Sequence, residues 1–213
     1  MTPSLKQKPE LWKRIPSTWF NFQDIYDEAV ETAPHGSILV EVGSFWGQSA
    51  VYLAEAAKLA DKDLRVYCVD LWDMRPENNP PLFDQSLGGS ESVIHAHYHE
   101  SLFETFAHYV DETRLSPNPL RILRMGALEA IPAIEGIANR EGREIHFVFL
   151  DDDHEYQHVL HELARWIRII APGGIIAGHD FTEEFDGVRQ ATKEFFGEEY
   201  VEVRGTSWIG LKP

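Results

Sequence analysis

Four short runs hold the side chains best suited to chemistry. Asp151-Asp152-Asp153-His154-Glu155-Tyr156 sets three carboxylates beside an imidazole. Adjacent carboxylates repel one another unless something neutralises them, and their oxygens suit hard cations such as Mg²⁺, Mn²⁺ or Ca²⁺. A solvated acidic turn is the plainer alternative, with Asp153 as N-cap of a following helix. Gly178-His179-Asp180-Phe181 repeats the pairing of imidazole and carboxylate. His179 could be a ligand, a base, or a strand-end residue bonded to backbone. The third run, Glu41-Val42-Gly43-Ser44-Phe45-Trp46-Gly47-Gln48-Ser49, reads as acid, glycine turn and helix start. Free N–H groups at such a start favour an anionic group. The fourth feature is Asp70, 27 residues after Gly43, where an acid at the end of the second strand of a βαβ unit reaches ribose hydroxyls.

These residues need a scaffold that brings strand ends together, and the chain alternates accordingly. Short apolar runs at 37–42, 64–69, 120–123, 145–150 and 174–177 read as strands. Helical patterns fall at 48–59, 154–170 and 183–196; the second carries a stripe of Val159, Leu160, Leu163, Trp166, Ile167 and Ile170. Near-continuous apolar strands between amphipathic helices predict a parallel sheet covered on both faces. Residues 200–203 and 207–211 read as a terminal antiparallel hairpin. Residues 1–36, rich in aromatics, form an expected helical cap around 21–31. Residues 72–118 are too long for an ordinary βα connection. This expected lid has a loop at 74–90 and a helix at 91–111, placed over the ligand crevice. His95-Ala96-His97-Tyr98-His99 inside it has zinc-compatible spacing but no metalloprotease Glu, so solvated histidines on a lid are the better reading.

Composition narrows the function. The 213 residues carry 19 basic and 35 acidic side chains, a net charge of −16. With 43% hydrophobic and 25% charged residues the chain is globular. The acidic balance argues against nucleic acid and against anionic membranes. Cys68 is the only cysteine, which excludes an internal disulfide and fits a reducing, cytoplasmic compartment. No apolar stretch is long enough to cross a bilayer. Self-association is left open, since the aromatic N-terminus could cap its own site or that of a second copy.

EVGSFWGQS, YCVDLWD, FVFLDDDHEY and APGGIIAGHDF, in that order, resemble class I S-adenosylmethionine-dependent methyltransferases over residues 37–213. Among these the chain is most similar to small-molecule O-methyltransferases of the metal-dependent catechol and caffeoyl-CoA type and the macrolide-sugar type. The resemblance implies a Rossmann-like, doubly wound, seven-stranded α/β sheet and O-methylation of a small hydroxylated acceptor. It implies that Glu41, Gly43, Ser44 and Gly47 border the methionine end of the cofactor and that Ser49 bonds its carboxylate. Asp70 would hold the ribose, Leu71 or Trp72 would pack on adenine, Gly126 and Ala127 would line its edge, and Asp151 would border the same pocket. Asp151 and Asp180, with His179 as a further candidate, would hold Mg²⁺ (or Mn²⁺ or Ca²⁺). His154 stands where relatives carry a basic lysine, so His154 or His179 is the candidate base, beside Asp151. Ser44 and Phe45-Trp46 depart from the usual glycine-rich centre. Two other classes compete: an iron oxygenase using Asp151, His154 and His179, and a non-catalytic cofactor-binding module. A nicotinamide dehydrogenase fits poorly, because the glycine spacing is Gly-x-x-x-Gly.

Overall fold

A computed structural model describes residues 7–16, 19–73 and 102–210. Residues 74–101, including the expected lid loop and His95 to His99, lie outside the described residues. After a 3₁₀ turn (Leu11–Arg14), with a second at Glu198–Tyr200 before the last two strands, the order is α1 (Gln23–Thr32), β1 (Ile38–Val42), α2 (Gln48–Leu59) and β2 (Arg65–Asp70). Then come α3 (Leu102–Thr113), β3 (Leu120–Arg124), α4 (Ala127–Glu141), β4 (Ile145–Leu150) and α5 (Tyr156–Trp166). β5 (Ile170–Gly178), α6 (Asp186–Phe196), β6 (Val201–Arg204) and β7 (Ser207–Gly210) complete the chain. The sheet runs β3-β2-β1-β4-β5-β7-β6. Its first five strands are parallel, and β7 is antiparallel to both neighbours. None of the described helices is long and apolar enough to cross a membrane.

Strand alternation sorts the core into two layers. Leu39, Val66, Cys68, Phe147 and Phe149 face α1, α2 and the apolar stripe of α3. Val40, Val42, Val69, Val148, Leu150 and Ile176 face α4, α5 and α6. Period two therefore places Glu41 beside Leu39, under α1, where it is fully buried. The central strand β1 is buried at every position, as a strand flanked on both edges and covered on both faces must be. The alanines of α2 (Ala50, Ala54, Ala56 and Ala57) are buried, and their small side chains let the helix pack closely on the sheet beside α1.

The structure departs from the sequence expectation at three boundaries. α5 ends at Trp166, and Ile170, which completed the expected helical stripe, begins β5 instead. Trp166 and Ile170 both enter the same core, so the stripe continues in space while the backbone changes type. Pro172, Gly173 and Gly174 then interrupt the ladder: the register jumps from Ile145↔Ile170 to Phe147↔Ile175. The third boundary is the start of α5. Its N-cap is Glu155, not Asp153; the Asp153 carboxylate instead accepts from the Glu155 N–H at 2.7 Å, an Asx-type turn one residue earlier.

Candidate active site

The strand order reverses between β1 and β4, and the crevice at such a switch point is where open α/β sheets bind ligands. All four runs meet there. The Asp151 N–H donates to the Val42 carbonyl at 2.9 Å, carrying the β1 ladder past the strand end. Gly43 lies in this seam at φ +85, and a Cβ on it would stand 2.1 Å from the backbone oxygen of Asp151. No other residue fits: the conformation disfavours a side chain and the space is filled by backbone. Gly47 ends the turn at φ +88 as N-cap of α2, against the Phe106 ring of α3.

Asp70 ties the turn to β2. One carboxylate oxygen accepts from the Phe45 N–H at 2.9 Å and the other from the Trp72 N–H at 2.6 Å. The Trp72 indole in turn donates to the Phe45 carbonyl at 2.8 Å. Burial nevertheless pushes the Asp70 carboxyl above its ordinary range, these amides pulling the other way. Each oxygen retains a second lone pair for a ribose hydroxyl. Phe45 and Trp72 both hold positive φ, 46 and 48 degrees, a strain the Asp70 bonds help to maintain. Of the two residues expected against adenine, Trp72 is buried on Phe106 and Phe103 (ring centroids 4.4 and 5.2 Å). Leu71 is 54% exposed. The Met125 N–H donates to the Asp70 carbonyl at 3.1 Å, which brings Gly126, N-cap of α4, and Ala127 to the same rim.

Glu41 is the buried acid of this turn. One carboxylate oxygen (Oε2) accepts from the Tyr26 hydroxyl of α1 at 2.6 Å. Burial pushes its pKa up to about 7, with the hydroxyls of Tyr26, Ser44 and Ser49 pulling it back. Its other oxygen, Oε1, makes no well-formed hydrogen bond. Neither does Ser44 Oγ, nor the indole N–H of Trp46, both buried atoms of the same turn. An acceptor and two donors without well-formed bonds are groups that an α-amino-acid zwitterion, with its ammonium and carboxylate, could engage.

The second half lies at the ends of β4 and β5. The three consecutive acids separate. Asp151 turns into a cluster with His154, His179 and Asp180. Asp152 pairs with Glu162 of α5: desolvation and the charges of Asp153, Asp70 and Asp151 raise the Asp152 carboxyl while the bond to Glu162 pulls it back, and desolvation and the Asp152 charge raise that of Glu162. Asp153 accepts from Glu155 and meets His158 at 2.7 Å. In the cluster, His154 Nε2 is 2.8 Å from Asp180, and its ring stacks on Phe185 at 4.3 Å. His179 Nδ1 lies 3.5 Å from Asp151 and 3.2 Å from Asp180, while its Nε2 meets Thr206 Oγ1 at 2.8 Å. Burial disfavours charge on His179, yet the two carboxylates outweigh it and bring its pKa to about 10. The same contacts hold Asp180 below the usual carboxylate range against the effect of burial. Asp151, His154 and Asp180 each offer one ligand atom, and these atoms lie within 4.8 Å of one another. His179 stands beside this set and not in it.

Sequence reasoning missed Tyr26, Thr206 and Phe185. Each touches a candidate residue from another part of the chain, 15, 27 and 31 positions away from its partner, and no local pattern announces such a contact.

A parallel sheet with an antiparallel final strand, a glycine turn after β1 and an acid after β2 define a class I methyltransferase fold. Residues 40–181 match the model of a methyltransferase domain family, and the chain belongs to that family. No curated protein matches the sequence. Among solved structures, the O-methyltransferase NovP is similar at 16% identity and a TM-score of 0.60, over 89% of this chain and 78% of that one. CalS11, a TDP-rhamnose 3′-O-methyltransferase of calicheamicin biosynthesis, is similar at 14% identity and a TM-score of 0.58, over 89% and 76%. A precorrin 8w decarboxylase from Methanobacterium thermoautotrophicum is similar at 14% identity and 0.56, over 94% and 95%. At these identities the likeness is one of fold.

Proposed function

We propose that the enzyme transfers a methyl group from S-adenosylmethionine to a hydroxyl oxygen of a small acceptor. The observation that carries this reading is the turn after β1. There Glu41 Oε1, Ser44 Oγ and the Trp46 indole N–H are buried without a well-formed hydrogen bond in a chain of the methyltransferase family. In this reading Glu41 receives the cofactor's ammonium, and Ser44, Ser49 and the start of α2 receive its carboxylate. Asp70 takes the ribose, with Leu71, Gly126 and Ala127 along the adenine. The same reading places the enzyme in the cytoplasm, acting on neither nucleic acid nor membrane.

The cluster at the ends of β4 and β5 would handle the acceptor. Among the three groups within 4.8 Å of one another, the Asp151 and Asp180 carboxylates are hard donors that suit Mg²⁺ or Mn²⁺, and a single imidazole falls short of the two-histidine set of iron oxygenases. Asp151 and Asp180 would hold the ion, which when bound lowers the pKa of a hydroxyl. His179, charged at neutral pH, fixes the two carboxylates in place and has no lone pair to offer. His154, clamped between Asp180 and Phe185, is then the group that accepts the acceptor's proton at Nδ1. The remaining contribution is proximity and in-line alignment, because the sulfonium is already a strong electrophile.

Calorimetric titration with S-adenosylhomocysteine, with and without Mg²⁺, tests the reading. Micromolar binding, about −8 kcal/mol, that is lost in Asp70→Ala supports it. No binding under either condition refutes it.

A further inference from the structure

We infer that Tyr26, on the N-terminal helix, is a positioning residue for the cofactor: its hydroxyl holds Glu41 so that the second carboxylate oxygen faces the ligand's ammonium. This rests on the proposed methyltransferase reading and adds to it a residue outside the motifs that carry that reading. The argument begins with the isolation of Glu41. It is fully buried on the central strand, with Cys68 as its register partner on β2 and Phe149 on β4. Neither neighbour can orient a carboxylate. The groups that face it are the hydroxyls of Tyr26, Ser44 and Ser49, the Cys68 thiol and the Asp151 carboxyl. No cation stands among them.

Tyr26 alone makes a well-formed bond to the carboxylate, 2.6 Å to Oε2. The phenol is itself fully buried, and its ring is set edge-on against Phe147 and Phe149, with centroids 5.6 and 5.1 Å away. It therefore donates along a fixed direction to Oε2 and leaves Oε1 without a well-formed bond. A neutral donor also leaves the negative charge uncancelled, so a cationic group gains the whole of it at low local dielectric. A lysine in its place would neutralise the acid and remove the reason for an ammonium to bind. Helix α1 thus completes the cofactor site from outside the alternating strands and helices.

The test compares two ligands that differ at the amino-acid end. S-adenosylhomocysteine carries the ammonium; 5′-methylthioadenosine lacks it. Tyr26→Phe keeps the ring and its packing. The expected result is about tenfold weaker S-adenosylhomocysteine binding, the scale of a lost hydrogen bond to a charged group, with methylthioadenosine affinity little changed. In a Glu41→Gln background the same substitution is expected to cost less than about twofold, since the charge it serves is gone. Equal weakening of both ligands, no weakening of either, or a full tenfold effect in the Glu41→Gln background would overturn the inference. If methylthioadenosine binds too weakly to titrate, the Glu41→Gln cycle decides. Absence of S-adenosylhomocysteine binding in the unmodified protein would instead count against the methyltransferase reading itself.

Discussion

In the proposed cofactor site, Glu41 links stability to ligand binding, and pH separates the two. In the unfolded chain its carboxyl titrates near the ordinary 4.5, whereas burial raises the folded value to about 7. The folded state thus keeps a proton that the unfolded state has already released. Below about pH 4.5 both states are protonated and the acid costs nothing. Between 4.5 and 7 the fold loses about 1.4 kcal/mol per pH unit. Above 7 the loss levels off at roughly 3 kcal/mol, an upper bound. Glu41→Gln removes this titration while keeping an oxygen for the Tyr26 hydroxyl. The variant should match the parent in urea denaturation near pH 4.5 and exceed it by about 2 to 3 kcal/mol at pH 8. S-adenosylhomocysteine affinity should behave oppositely. In the parent it rises from pH 6 to 8 as the carboxylate forms; in the variant it is weaker and flat. The reasoning fails if the stability difference is the same at both pH values, or if the variant is the less stable at pH 8.

Other outcomes follow from the same geometry. Gly43→Ala and Gly205→Ala impose the same left-handed strain, at φ +85 and +62, but only Gly43 meets a backbone atom, while the space at Gly205 is open. Gly205→Ala should cost about 1 kcal/mol and Gly43→Ala about 2 kcal/mol more, with S-adenosylhomocysteine binding lost in the second alone; equal denaturation midpoints would contradict this. Asp180→Asn should abolish any Mg²⁺ stimulation of methyl transfer while changing S-adenosylhomocysteine affinity without Mg²⁺ by less than about twofold. A preserved Mg²⁺ response would remove Asp180 from the ion site.

The fold was largely legible before any coordinates. β4 at 145–150 and α2 at 48–59 match the sequence pattern residue for residue, because a strand apolar but for His146 and an alanine-rich helix each state their type locally. The glycine turn was legible for a similar reason: Gly43 and Gly47 lie at strand and helix ends, where only glycine tolerates the backbone required. The end of α5 was not legible, because Trp166 and Ile170 serve one core from two kinds of backbone and periodicity counts only the core. Nor was the division of labour among acidic neighbours. The resemblance singled out Asp151, which enters the cluster, but nothing local showed that Asp152 would pair with Glu162 or that Asp153 would cap a turn at Glu155 and not the helix.

Residue type and order therefore determined which groups could act and that strand ends would gather them at one rim. Tertiary structure alone decided their states. A strand's two-residue period placed Glu41 under α1, but only the packing of α1 brought Tyr26 to it. The β6–β7 turn brought Thr206 to His179, and two carboxylates on the other ring nitrogen bring the pKa of this histidine to about 10 against the effect of burial, which in the proposed mechanism leaves His154 as the base. Hydrogen bonding and burial act over a few ångströms in space, and the residues concerned are tens of positions apart along the chain.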